Sequence, residues 1–120
     1  MFINLSNHPS ARWSTKQIEA AKQYGDIMDI PFPSVNPDGD ESYIKGLANK
    51  YFQQVIQLAQ GQPVMVHLMG EMTLTFILAS RLKAAGIECV ASTTERVVEE
   101  NRPGIKTATF RFVRFRKYEC

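Results

Sequence analysis

Cysteine is scarce in this chain: Cys89 and Cys120 are the only two, one in an apolar stretch and one at the last position. Two thiols so placed build neither a disulfide framework nor a zinc site, and their scarcity leads to the expectation of a reducing, cytoplasmic compartment. Long apolar runs are missing as well. No stretch approaches the ~18 residues of a membrane-crossing helix. The opening "MFINLSNHPS" has no basic leader ahead of an apolar segment and does not read as a signal peptide. Strong charge of one sign is also lacking, and a formal net charge of +2 argues against general binding to duplex nucleic acid. There is no G-x-G-x-x-G, no G-x-x-x-x-G-K-[ST], no G-x-S-x-G elbow, no C-x-x-C, and no His, Cys or carboxylate cluster at metal-ligand spacing. Neither a metal nor a cofactor is expected.

What is there is an ordinary globular composition, 44% apolar and 22% charged over 120 residues, enough for one domain (1–120) with a modest core. "MFINLS" reads as a short buried strand and "NHPSARWS" as a loop. Ser14 stands before "TKQIEAAKQYG" with Gln17 three residues on, a capping-box pattern opening a helix that Gly25 ends. "DIMDIPF" is a second strand stopped by Pro31 and Pro33, and "PSVNPDGD" is a turn-rich loop. From about Glu41, Ile44, Leu47, Ala48, Tyr51, Val55 and Leu58 recur at helical spacing up to Gly61. "PVMVHLM" is nearly continuous in apolar residues, as in a strand covered on both faces. A third helix, "GEMTLTFILASRLKAAG", and a fourth strand, "IECVAST", follow.

The tail "TERVVEENRPGIKTATFRFVRFRKY" has no helical period and reads as two extended arms joined at "NRPG". On the second arm, strict alternation places Thr107, Thr109, Arg111, Val113 and Phe115 on one face, with Ala108, Phe110, Phe112 and Arg114 on the other. Strands alternating with helices predict an α/β chain. The expected fold is a small Rossmann-like three-layer domain, mostly parallel in its sheet, with a C-terminal antiparallel β-hairpin.

In an open parallel sheet, ligands bind beyond the carboxyl ends of the strands. There the loop Ser6, Asn7, His8 to Ser14 brings a proton carrier in His8, a phosphate clamp in Arg12 and a stacking ring in Trp13. The junction Met69, Gly70, Glu71, Met72, Thr73 turns abruptly from strand to helix, and free N–H groups of Glu71, Met72 and Thr73 would suit an anion. The same Gly70 also reads as a close-packing residue, with Glu71 complementing the helix dipole. "STTER" supplies Ser92, Thr93, Thr94 and Arg96, of which Ser92, Thr94 and Arg96 share a strand face. His67, between Val66 and Leu68, reads as a satisfied core or interface residue. The cluster Arg111, Arg114, Arg116 and Lys117 reads either as a solvated strand face or as a strip for a small anionic ligand or short RNA.

"INLSNHP", the helix start "WSTKQIEAA", the strand "DIPFP", the junction "HLMGEMTLTF" and the terminal hairpin together resemble the small stand-alone CRISPR-associated proteins with a CARF-like Rossmann fold, several of which are ring nucleases. The resemblance implies a homodimer that binds a cyclic oligoadenylate across its two-fold axis. It also implies metal-independent cleavage, in which a ribose 2′-OH attacks the adjacent phosphodiester. Carried onto this sequence, Gly70, Glu71 and Thr73 would hold a phosphate, Arg12 or Arg96 would stabilise negative charge, His8 would carry a proton and Trp13 would support an adenine. Glu71 could instead orient a ribose hydroxyl. A sensor that holds the ligand without cutting it is the alternative, and so is an interaction protein using the terminal ribbon.

Overall fold

The opening apolar run lies at the heart of the sheet. A computed structural model describes residues 1–119; Cys120, noted above for its place at the chain end, lies outside them. Every residue of β1 (Phe2–Ser6) is buried, because a strand flanks it on each side and helices cover both faces. β2 (Ile27–Pro31) and β3 (Met65–Met69) both run parallel to it. β4 (Glu88–Arg102) pairs parallel with β3, and β5 (Ile105–Lys117) antiparallel with β4, so that the order is β2-β1-β3-β4-β5. The connecting helices are α1 (Thr15–Lys22), α2 (Glu41–Ala59) and α3 (Met72–Ala84). The fold is therefore a small Rossmann-like domain with a C-terminal antiparallel pair.

Period-2 alternation divides the central strands between two cores. Ile3, Leu5, Val66 and Leu68 pack with Ile44, Ala48 and Val55 of α2 and with Leu74, Leu78 and Leu82 of α3. On the opposite face Phe2 packs with Ala21 of α1 and with Val90, Phe112 and Phe115. The helix starts follow their caps: Ser14 Oγ accepts the Gln17 N–H at 3.2 Å, and Asp40 Oδ1 accepts the Tyr43 N–H at 3.0 Å. Pro31, expected to stop the second strand, is instead its last residue. The strand lies at the sheet edge, where a missing N–H costs no ladder bond.

The tail differs from its sequence reading in two ways. "IECVAST" and the first arm are not separate: β4 is one strand of 15 residues. It turns at Pro103 and Gly104, and Gly104, at φ 82, occupies the left-handed region that glycine adopts without strain. The second difference is a β-bulge. Pairing passes from Thr93↔Arg114 to Thr94↔Phe112 and leaves Val113 unopposed. The Thr93 hydroxyl fills the gap, accepting the Arg114 N–H at 3.2 Å and donating to the Arg114 carbonyl at 3.1 Å. One extra residue inverts the alternation beyond it. Phe112 and Phe115, expected on opposite faces, thus share the α1 face with ring centroids 4.9 Å apart. Arg111, Arg114 and Arg116 are exposed, and Arg111 meets Glu95 only at 4.0 Å, an ion pair of the kind worth little at a surface.

Position along the ribbon makes two phenylalanines on the same face unequal. Phe115→Ala removes a ring that is 9% exposed, whereas Phe110 is 72% exposed. Urea unfolding is expected to show Phe115→Ala destabilised by about 3–5 kcal/mol and Phe110→Ala changed by no more than about 0.5 kcal/mol. Equal losses would mean that Phe110 is packed as Phe115 is, against the exposure the structure gives it.

Candidate functional site

The carboxyl end of β1 is organised by side chains from within the sheet. Asn4 is 1% exposed, and its Nδ2 donates to the His8 carbonyl at 2.8 Å and to Asp29 Oδ1 at 2.9 Å. Ser6 Oγ lies 2.7 Å from Asn4 Oδ1 and accepts the His8 N–H at 3.1 Å. Trp13 Nε1–H donates to the same His8 carbonyl at 3.1 Å, and Ser10 Oγ donates to Asp29 Oδ2 at 2.8 Å. These bonds fix the backbone of the loop at His8 while its imidazole stays at the surface.

Beside this loop lies a cavity of about 410 Å³ on the α1 face of the sheet, lined by His8, Arg12, Trp13, Gln17, His67, Met69, Ser92, Thr94 and Phe110, with Pro9 at its rim. It opens near the carboxyl ends of β1 and β3. Those two strands are adjacent while their connections leave in opposite directions, which is the switch point where α/β sheets bind ligands. The size falls within the range of about 300–1,000 Å³ usual for small-ligand pockets. Arg12 supplies the fixed cation. Ser92 donates its N–H and its hydroxyl only to Met69 Sδ, at 3.3 and 3.1 Å. Sulfur is a weak acceptor, so a ligand oxygen would compete for both donors.

His67 is the residue the sequence reading assigned to the core as satisfied, and it is only half satisfied. Its side chain is 0% exposed and walled by aromatic rings, with Trp13 edge-on at 5.2 Å and Phe115 at 5.5 Å between centroids. Nδ1 lies 2.8 Å from Asn4 Oδ1. Asn4 Oδ1 can only accept, since the two Nδ2 partners set the amide orientation, so Nδ1 carries the proton and Nε2 the lone pair. Nε2 is buried and has no partner. Such a vacancy costs about 1–3 kcal/mol. Burial pushes the pKa of His67 down from 6.5 to about 4, and the charge of a protonated His8 pushes the same way. The ring is neutral at pH 7.

Of the residues singled out from the sequence, His8, Arg12, Trp13, Met69, Ser92 and Thr94 meet in this cavity. The others do not line it. The Ser6 hydroxyl is taken up by Asn4 and His8, and Ser14 caps α1. Asn7 lines a separate recess of about 170 Å³ with Asp29 and Phe32. Thr93 points to the other side of the sheet, where it fills the bulge. Arg96 shares the cavity's sheet face but pairs with Phe110 farther along the ribbon, where it is exposed.

The helix start at Gly70 needs correction as an anion site. Glu71 caps α3 with its own carboxylate, accepting the Thr73 and Leu74 N–H groups at 2.9 Å each, and Thr73 Oγ1 lies 2.7 Å from both carboxylate oxygens. The Thr73 hydroxyl, followed by the Leu74 and Thr73 N–H groups, holds the Glu71 carboxyl below its ordinary pKa. The Thr73 donors are therefore taken, and a phosphate would face a fixed negative charge. Met72 points outward, 84% exposed. Gly70 leaves room for the Phe32 ring, since a Cβ there would come within 2.5 Å of it. The packing reading of Gly70 and Glu71 is the one the structure supports.

His67, Gln17, Phe110 and the supporting pair Asn4 and Asp29 were not among the candidate residues. A signal for two of them was present: Asn4 and His67 are each the one strongly polar residue midway along an otherwise apolar strand. Among the described residues no group of three or more His, Cys, Asp or Glu side chains is placed to hold a metal ion. No described helix is long and apolar enough to cross a membrane.

The chain belongs to the uncharacterized protein MJ1673 family, whose model matches residues 1–116. No curated protein and no solved structure matches it. The match spans every element that builds the cavity.

The lowered pKa of His67 has a thermodynamic signature. Between 6.5 and about 4 the unfolded chain binds a proton at this residue and the folded chain does not, so acidification through that window favours unfolding. This one group is expected to remove about 3 kcal/mol of stability across the window, a loss that levels off below it. Urea unfolding of wild type and His67→Gln at the two ends of the window measures it; a slope unchanged in the variant would mean that His67 is not the group responsible.

Proposed function

We propose that this chain is a metal-independent ring nuclease that opens a cyclic oligoadenylate, with cleavage centred on the cavity between the His8 loop and β4. The observation that carries the reading is that one cavity at the switch point gathers a guanidinium (Arg12), an indole (Trp13), an imidazole (His8) and hydroxyl donors (Ser92, Thr94). That is a set suited to phosphate, base and ribose together. Arg12 stabilises the charge that develops on the phosphorane, and the fixed loop holds the 2′-OH in line with the phosphorus. Trp13 stacks on an adenine through its half-exposed face. The resemblance in the opening "INLSNHP" and the terminal hairpin to small CRISPR-associated proteins favours a cyclic adenylate over other nucleotides.

A cavity of this size takes one nucleotide unit, so the rest of a ring needs a second surface. The reading therefore includes a homodimer. Support comes from α3, where Phe76 is 72% exposed and stands with Met72 beside an apolar groove of about 640 Å³. Met69 lines both this groove and the cavity, so a second copy seated on the groove would bring its own cavity near the first. A sensor that binds without cleaving is the second reading. It is favoured by the His8 carbonyl, rather than the ring, taking the hydrogen bonds of Asn4, Ser6 and Trp13.

Incubating the purified protein with cyclic tetra- and hexa-adenylate in EDTA, and resolving the products by mass spectrometry, tests the reading. Linear adenylates ending in a 2′,3′-cyclic phosphate are expected, with Arg12→Ala slower by about 10²–10³-fold. Intact rings with a raised melting temperature would favour the sensor, and intact rings with no shift would remove both. Sedimentation velocity is expected to give a dimer that Phe76→Glu converts to a monomer; a wild-type monomer at high concentration would remove the dimeric part.

A further inference from the structure

The strongest unexplained feature of the molecule is the vacant lone pair of His67 Nε2. It is inside the protein, has no partner, and belongs to a residue that lines the cavity. The two nitrogens of an imidazole point in divergent directions. With Nδ1 held by Asn4 of β1, Nε2 is turned away from β1, toward the side of the cavity where β4 carries Ser92 and Thr94. Behind Asn4 stands the Asp29 carboxylate, which accepts from the same amide that accepts from His67. The sequence Asp29, Asn4, His67 thus fixes the tautomer and the plane of the ring, as a third group orients a catalytic base elsewhere.

We propose that His67 and His8 form a base–acid pair for phosphodiester cleavage, His67 Nε2 taking the proton of the attacking ribose hydroxyl and His8 giving one to the leaving oxygen. The inference rests on the ring-nuclease reading above and assigns the proton transfers within it. The 2′-O–H proton goes to Nε2 as the O2′–P bond forms. The P–O5′ bond breaks, and the His8 imidazolium protonates O5′ as it leaves. The products are a 5′-hydroxyl and a 2′,3′-cyclic phosphate, and exchange with water returns both rings to their starting protonation. Two histidines in opposite states are what such a transfer requires. The buried ring stays neutral because of its surroundings, while the other lies at the surface in contact with solvent. Trp13 covers His67 edge-on and is only half-buried, held at its indole nitrogen by the His8 carbonyl; under this pairing that side chain must turn aside for the ribose.

The charged and titratable groups facing His67 are few. His8 and Arg12 line the same cavity, and Asp29 acts through Asn4; the faces offered by β4, β5 and α1 are Ser92, Thr94, Phe110, Phe115 and Gln17. The pH profile of kcat/KM on cyclic tetra-adenylate in EDTA is therefore expected to have an acid limb set by His67. The rate rises with pH through about 4 as His67 loses its proton. His67→Gln is expected to lower kcat by about 10²–10⁴-fold with KM little changed and the acid limb gone.

Because a buried substitution can disturb folding, a second measurement uses the wild-type His67. A ring carrying sulfur in place of one bridging O5′ leaves as a thiolate and needs no acid. His8→Ala is expected to cut the sulfur ring at near the wild-type rate and the oxygen ring far more slowly. If wild type cuts the ring and His8→Ala is equally impaired on both substrates, or a folded His67→Gln keeps its rate and its acid limb, the pair is overturned while the ring-nuclease reading stands. A wild-type protein that leaves rings intact overturns both.

Discussion

The hydrogen bond between His67 Nδ1 and Asn4 Oδ1, 2.8 Å long and inaccessible to water, ties the two central strands together by their side chains. Much of the rest depends on it. It uses the single acceptor of a buried amide, so the amide must spend its donors elsewhere. They go to the Asp29 carboxylate on the neighbouring strand and to the His8 carbonyl in the loop. One buried polar link therefore sets the register of three strands, fixes the loop that borders the cavity, and fixes which nitrogen of His67 is vacant. Buried polar networks of this kind are costly when partly satisfied and strongly specifying when complete. Here the network is complete on the β1 side and open at His67 Nε2.

The fold was legible because the hydrophobic pattern changes period cleanly, from short apolar runs to helical spacing and back. Ser14 marks a helix start through the chemistry of its side chain, and "NRPG" marks a turn; Asp40, which caps α2, reads in the sequence only as part of a turn-rich loop. The cavity was legible in part. Loop residues such as His8, Arg12 and Trp13 stand out by type and position, and a parallel sheet dictates where its loops gather. His67 was not legible, since its role depends on which residue of another strand lies opposite, and Asn4 is 63 positions away. Glu71 was ambiguous for a different reason. A helix start offers the same donors to an incoming anion or to its own first carboxylate, and local chemistry wins when the carboxylate is already attached. The bulge at Val113 could not be read from alternation, because alternation assumes that no residue is skipped.

The two ends of the strand–helix junctions also divide the labour. The junction after β3 is closed by its own residues, with Phe32 against Gly70 and Glu71 over the first turn of α3. The junction after β1 does the opposite: its loop spends backbone groups on the sheet and leaves the His8 and Arg12 side chains outward. The loop thus offers side chains to the cavity, where many α/β proteins offer a ligand backbone N–H groups at a helix end.

The ribbon carries a consequence of a different kind, one of parity. Val113 is skipped on β5 and Asn101 on β4, so the pairing between these two points is shifted by one residue from that on either side of them. Lengthening both arms by two residues would leave every phenylalanine facing as it does now. Strict alternation through Val113, with no bulge, would put Phe110 and Phe112 on the face opposite Phe115. A single residue at the bulge thus decides whether the three rings share one side of the ribbon.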